Sequence, residues 1–394
     1  MKSVMIALTT GLFLLSQSPG QTKGASVTVR NPAGFARRNE TVEVHLRDLI
    51  PLLGDPGVGE IVVTGNGAPL LSQVTEEELL FQADFSPLEK KEFLVRRGSP
   101  GAASGAREGG PRVTPEAASL VDGRYVLPRE DYAWENDRIA FRMYGPALAR
   151  EVNNGIDVWT KRVRSLVVAK WYKEAEGAPP GKDPYHTDCG EGADFFDVGR
   201  SLGAGGCSLW NEGRVHQPGV FSGWKTLCNG PLRTEFELTY NGVAIGGLAI
   251  KERKRISLDA GENLNRVRVT YDATGARHEV MVACGIVKRP RTLPASDERR
   301  CWMSLWGPTN SDSANGSLGT GVVFPSSAFV QFTEDSAQYL LIGRAFTGES
   351  LTYYAGAGWT RSGDFATNEE WNAYLDRWAA RIASPLRVRC APGK

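Results

Sequence analysis

From residue 26 onward, apolar and polar residues alternate in short runs, and Gly, Asn or Pro closes each run. Successive side chains of a strand point to opposite faces, so a period of two marks a strand with one face buried. Residues 26–30, 41–46, 61–64 and 92–95 follow this pattern near the start. In 134–146, Ile139, Phe141 and Met143 point one way, while Arg138, Arg142 and Tyr144 point the other. The same reading predicts strands at 165–172, 233–240, 243–258, 266–271, 278–287, 301–306, 321–324, 338–346 and 350–354. Gly246 and Gly247 interrupt the long 243–258 run and predict a bulge or a tight crossing. One helix is predicted near the C-terminus. Thr367 caps it, Glu370 completes a capping box, and Trp371, Tyr374, Leu375, Trp378 and Ile382 form one apolar stripe before Ser384-Pro385. So many strands with so few helices predict a mainly β protein of antiparallel sheets packed face to face.

The 394 residues suffice for one large β domain or two ordinary ones. Residues 1–20 have the form of a secretory signal: Lys2, an apolar run from Val4 to Leu15, then Ser18-Pro19-Gly20 at the cleavage point. Export to the periplasm or beyond the cell is the expectation. That run is too short to span a bilayer, and no other stretch is long enough. Residues 21–96 read as an N-terminal β segment, 97–112 as a flexible Gly/Ala/Ser/Pro loop or linker, and 113–394 as the main β domain; alternatively 21–394 form one compact unit. A net charge of +1 gives no field that would gather nucleic acid, and no protein partner is evident. The six cysteines allow up to three disulfides in an exported protein, with Cys284–Cys301 the first pair to expect; free buried thiols are the alternative. No CxxC or HxxxH spacing suggests zinc.

Chemistry-bearing residues crowd together between Tyr185 and Gly206. His186 and Asp188 project to one side if the chain is extended there, and Glu191, Asp194 and Asp197 follow at intervals of three. This is the pattern of a proton-transfer or hydroxyl-binding cluster. A solvated acidic loop, or one stapled by calcium, is the plainer alternative. The glycines at 203–206 lack the dinucleotide fingerprint. His216 lies in a loop close behind and is a candidate to reach the site, whereas His45 and His278 read as structural. Arg233 shares a strand face with Glu235 and Glu237; it could simply pair across strands, or could offer its planar fork to a substrate carboxylate. Arg142 and Tyr144 form a comparable pair. Among ten tryptophans, Trp359 sits in a glycine-rich stretch outside any core pattern and is the preferred stacking residue.

Several stretches resemble a family of secreted bacterial proteins known as domain of unknown function 4861. They are 134–142, Asn154-Gly155-Ile156-Asp157-Val158-Trp159, 185–206, 229–233, 354–359 and 371–385. The resemblance implies a link to polysaccharide degradation and to an oligosaccharide dehydratase that acts on a terminal uronic acid of ulvan-type fragments. Residues 243–271, especially 255–259 and 266–269, look like galactose-mutarotase-type antiparallel β-supersandwiches, which implies that fold. Cys189 and Cys207 stand where the family would not be expected to need cysteine. The implied reaction is removal of water across C4 and C5 of a uronate, and roles then follow from chemistry and position. Arg233 or Arg142 neutralises the carboxylate. His186 takes the C5 proton, with Tyr144 or Tyr185 as the alternative base, and Tyr185 or Tyr144 protonates the departing hydroxyl. Asp188, Glu191 and Asp194 bind hydroxyls or orient His186, and Trp159 and Trp359 stack on sugar. The partner is an oligosaccharide. No cofactor is expected, and a structural or catalytic divalent cation stays open. A mutarotase or epimerase, a glycoside hydrolase and a non-catalytic sugar-binding protein are the other readings.

Overall fold

A computed structural model of the chain describes residues 24–53, 61–98, 119–179, 184–310 and 313–393. The predicted signal at 1–20, and all but the first two residues of the predicted 97–112 linker, lie outside the described residues.

The alternation becomes two broad layers of antiparallel strands. One layer is a nine-stranded sheet in the order Gly223–Asn229, Arg233–Thr239, Leu248–Asp259, Leu264–Ala273, Ser350–Trp359, Ser317–Val323, Trp302–Pro308 and Leu293–Asp297, with Val243–Ile245 paired onto Leu248–Asp259. The other layer is two five-stranded sheets. The first runs Gly192–Ala193, Asp157–Lys161, Ala140–Met143, Asp131–Asn136, Val121–Val126. The second runs Arg214–His216, Ala204–Asn211, Glu279–Val287, Gln338–Phe346, Phe329–Glu334. A parallel bridge between Ile156 and Gly203 links them. Tyr132, Trp134, Phe141, Met143, Val158, Leu209, Phe236, Ile256 and Val267 fill the space between the layers. Phe236 lies 3.9 Å, centroid to centroid, from the Tyr132 ring and 4.8 Å from Trp134. Burying a ring of this size fully contributes about 1.5–3 kcal/mol, so this trio firmly ties the two layers. The arrangement is the expected β-supersandwich.

A smaller sandwich stands beside it. Its sheets are Arg387–Pro392, Gly24–Arg30, Lys90–Arg97, Ile61–Gly65, Ala68–Leu70 on one side and Arg37–His45, Glu78–Phe85, Ser72–Val74 on the other. Val27, Val29, Val42, Val44, Phe81, Phe93 and Val95 form its own core, against which helix α1, Leu46–Leu53, packs Leu49 and Leu53. The last strand of the chain thus completes the first sheet.

Several local readings are corrected. Residues 165–172 do not form a strand; helix α2 spans Val168–Glu176 and buries Val168, Trp171, Tyr172 and Ala175, a helical spacing. No side chain of its own caps it. Instead Glu135, from a strand, accepts from Val167 N and Val168 N at 2.7–2.9 Å, which fills the empty donors of the first turn. The run 134–146 is a hairpin rather than one strand, and Gly246-Gly247 is a two-residue hairpin turn with both φ positive. Helix α3, Asn368–Ala383, starts as expected: Glu370 N donates to the Thr367 hydroxyl. The Glu370 carboxylate, however, reaches back to Ala366 N. Its Trp371, Leu375 and Trp378 are buried against the large sheet. All six cysteines are free thiols, so the expected Cys284–Cys301 bridge is absent; Cys284 faces Cys207 across neighbouring strands instead.

Candidate active site

The outer face of the Asp131–Asn136, Ala140–Met143 and Asp157–Lys161 strands is also buried, because α2 and the turn Pro184–His186 lie over it. Alternation decides what that face carries: Asp131, Ala133 and Glu135, then Ala140 and Arg142, then Asp157, Trp159 and Lys161. Arg142 and Asp157 are direct cross-strand partners. Asp157 Oδ2 accepts from Arg142 Nε (2.8 Å), Tyr144 Oη (3.0 Å) and Trp159 Nε1 (3.2 Å). Arg142 Nη2 also donates to Tyr144 Oη and to Asp194 Oδ2, each at 2.9 Å. Asp131 Oδ2 stands 4.0 Å from Arg142 Nη1 and accepts from Tyr172 Oη. Three buried carboxylates thus share one guanidinium. A second pair, Lys161 Nζ–Glu135 Oε2 at 2.6 Å, lies on the same face.

The loop from Tyr185 to Asp194 delivers the outer part of the site. Asp194 N donates to the Tyr185 carbonyl at 2.7 Å and pins the loop's two ends together. Gly192 has φ +116 and sits so close to the neighbouring strand that a Cβ would lie 2.0 Å from the Thr160 carbonyl; only glycine fits. His186 stands at the surface, its side chain 54% exposed. Its Nδ1 lies 3.1 Å from the Asp194 carbonyl and 3.7 Å from Asp194 Oδ2. A carbonyl oxygen only accepts, so this bond places the proton on Nδ1 and makes Nε2 the basic nitrogen.

His186, Tyr185, Tyr144, Arg142, Trp159 and Asp194 therefore come together. Tyr185 and Tyr144 are buried, and the Tyr144 hydroxyl is held between Asp157 and Arg142. Trp159 is buried as well; Tyr185 stacks on it at 4.7 Å and the Arg142 guanidinium lies 4.8 Å from it. Asp188 folds the loop, accepting from Gly190 N and Gly192 N while pairing with Arg162 and Arg361. Glu191 pairs with Lys170 and accepts from the Trp171 indole. Arg233 is elsewhere. Asp259 holds it bidentately at 2.6 and 2.8 Å, and Glu43 and Glu78 of the small sandwich hold its far side, in the wall of a cleft of about 530 Å³. His216 ends a strand, with Nε2 3.3 Å from the Asn211 carbonyl, and shares no partner with the Arg142 network. Trp359 is the last residue of a buried strand and donates to the Asn315 carbonyl. The sequence reading missed Asp131, Asp157, Tyr172 and Arg129, whose guanidinium lies 6.0 Å from the Tyr185 ring. A carboxylate inside a run of core residues, as in Ile156-Asp157-Val158, was the available signal. Among the described residues no three His, Cys, Asp or Glu side chains converge as a metal would require, and no helix is long and apolar enough to cross a membrane.

Crowding sets the protonation of this network. Burial first, then the nearby Asp157 carboxylate, pushes Asp194 well above the usual carboxylate range, against the pull of Arg142. Burial likewise raises Asp131 to about 6, again against Arg142. A carboxyl whose folded pKa is raised stabilises the fold below its ordinary value and loses that contribution as pH rises through the folded value. The window for Asp131 runs from about pH 4 to about pH 6. Asp131→Asn keeps an acceptor for Tyr172 but removes the titration. Relative to wild type, it is expected to gain up to about 3 kcal/mol between pH 4 and pH 7. Urea unfolding at both pH values reads this directly; parallel pH profiles for the two proteins would refute it.

Residues 29–388 match the family described as Domain of unknown function (DUF4861). The chain belongs to this family. A relative from Formosa agariphila, "Uncharacterized protein P7", is 29% identical over 388 residues and covers 92% of this DUF4861 chain and 92% of its own length. Among solved structures, a protein in the glycosyl hydrolase family 38 from Enterococcus faecalis is similar over 93% of this chain, at 10% identity and TM-score 0.49. An alpha-mannosidase from the same organism is similar over 94%, at 9% identity and TM-score 0.45. The DUF4861 chain spans about half the length of each, 47% and 46%, and likenesses this distant decide neither fold nor chemistry.

Proposed function

We propose that the protein is a carbohydrate lyase that removes water from a terminal uronic acid, with His186 as its base. The observation that carries this reading is His186 at the solvent edge of a buried Arg142–Asp157–Asp194 network, tautomer fixed by the Asp194 carbonyl. The family resemblance supplies the substrate class; the site supplies acid–base chemistry. In this reading the uronate carboxylate meets Arg129, whose guanidinium lies 6.0 Å from the Tyr185 ring. With that charge neutralised, His186 Nε2 takes the C5 proton, and the electron pair left on C5 delocalises into the carboxylate as an enolate. The C4–C5 double bond then forms as the C4–O bond breaks, and the imidazolium returns the same proton to the departing hydroxide. Water leaves and the protein ends in its starting state. Asp194 positions the ring from behind, and Asp188 and Glu191 brace the loop through Arg162, Arg361 and Lys170. Export and a place in polysaccharide breakdown belong to the same proposal.

Incubation with a panel of uronic-acid oligosaccharides, ulvan fragments included, tests the reaction. The expected product is lighter by one water and absorbs at the ultraviolet edge. A gain of one water would make the protein a hydrolase. Unchanged mass with altered stereochemistry would make it a mutarotase or epimerase, and tight binding without change would leave it a binding protein.

A further inference from the structure

Four arginines are buried among the described residues, and three of them hold carboxylates: Arg37 with Glu40, Arg142 with Asp157, Arg233 with Asp259. Arg289 is the exception. Its guanidinium donates only to neutral acceptors, the carbonyls of Leu318 (2.7 Å), Pro308 (3.3 Å) and Leu305 (3.4 Å) and the Thr320 hydroxyl (3.4 Å). One face lies 5.5 Å from the Phe196 ring centre. No carboxylate pulls against the burial, which pushes Arg289 down to about 9. A buried charge is ordinarily paired, and this one has no anion among the described residues.

Arg289 lines a cleft of about 820 Å³ between the Ala204–Asn211 and Arg214–His216 hairpin and the turn at 335–338. Lys288, Arg200 and Arg214 line the same cleft, as do Asp197 and Asp335: with Arg289, four cations to two carboxylates. Lys288 is engaged by Glu334 and the Asp335 carbonyl. Arg214 is exposed and has no ion-pair partner among the described residues. A cleft of this size takes a molecule of several rings rather than a lone ion.

We infer that this cleft binds an acidic oligosaccharide, whose carboxylate or sulfate ester supplies the countercharge that Arg289 lacks. Either oxyanion in the cleft would balance the buried guanidinium charge, and the exposed cations draw a polyanion toward it. The inference goes beyond the reaction assigned to His186 and is tested without turnover. One stretch of chain nevertheless joins the two places. Asp194 sits in the Arg142 network, Phe196 lies under Arg289, and residues 197–201 form the cleft wall.

The test is hydrogen exchange on the full chain carrying His186→Ala, with trigalacturonic acid in one arm and inorganic sulfate in the other. Trigalacturonic acid is expected to protect 197–201 and 335–338. Arg289→Gln is expected to weaken that protection about tenfold in apparent Kd. Arg214→Glu and Lys288→Glu change exposed or partly exposed groups, so the fold tolerates them, and each is expected to weaken it about three- to tenfold. Charge reversals that leave the protection unchanged would overturn the inference. So would protection confined to 184–194, which places the sugar at His186 alone and leaves the proposed reaction standing. Equal protection by sulfate at the same concentration would assign the cleft to free inorganic anions and remove the oligosaccharide. No protection by either probe up to about 50 mM, a Kd too weak for recognition, would remove the site.

Discussion

His186→Ala is expected to lower kcat/KM on the uronic-acid substrate by about 10²–10⁴, the usual worth of a positioned general base. The fold should hardly notice. The ring is half-exposed at the rim of the site, and surface changes of this kind stay within about 0.5 kcal/mol, or about 2 °C in melting temperature for a chain of this size. His186→Asn separates chemistry from placement. Its amide can still donate to the Asp194 carbonyl, yet it has no basic nitrogen, so it is expected to be as inactive as the alanine variant. Full turnover in either folded variant would take His186 out of the reaction.

Arg142→Met is expected to be the most damaging single change to stability, about 3–5 kcal/mol at neutral pH. The methionine fills the space, but Asp157, Asp194 and Asp131 lose the one cation they share. Removing one partner of a buried ion pair leaves its countercharge uncompensated, and here three are left. The sign of the pH response follows. Asp194 and Asp131 already have raised folded values, and losing Arg142 raises them further. The folded variant therefore holds protons that the unfolded chain releases, and its stability should recover as pH falls from about 7 toward about 5. Denaturant midpoints across that range decide it; a deficit that does not shrink with acid would mean that the carboxylates are not what Arg142 balances.

The strands were legible because a half-buried strand writes its two faces into the sequence, as Phe141 and Met143 against Arg142 show. Helix α2 was not. Val167-Val168 and the aromatics after it look like strand residues, and the group that fills its first turn, Glu135, comes from a strand 32 positions away. Trp359 was misplaced for a related reason. Gly358 beside it suggests a loop, yet a Cβ there would meet the Phe365 ring at 2.4 Å, so the glycine marks tight packing. Arg142 and Arg233 are indistinguishable as arginines on strands. What separates them is long-range: Glu43, 190 positions from Arg233, comes from the small sandwich and closes over it. His186, Asp194 and Arg142 could be found by their chemistry. Asp131 and Asp157 could not be assigned to them before the register of three strands was known.

The strand Arg387–Pro392 has a consequence for how the chain comes into being. It is hydrogen-bonded to Gly24–Arg30, and Leu386, Val388 and Cys390 seat against the core behind that strand. During synthesis the first strand emerges from the ribosome long before its last neighbour exists. Until then the small sandwich has a bare edge of unpaired backbone donors and acceptors, the kind of edge that recruits other chains. The supersandwich has its own core and no strand paired with Arg387–Pro392. A chain without Arg387–Pro392 would keep its large core yet leave the Gly24–Arg30 edge bare and adhesive, so this strand works as a seal on that edge.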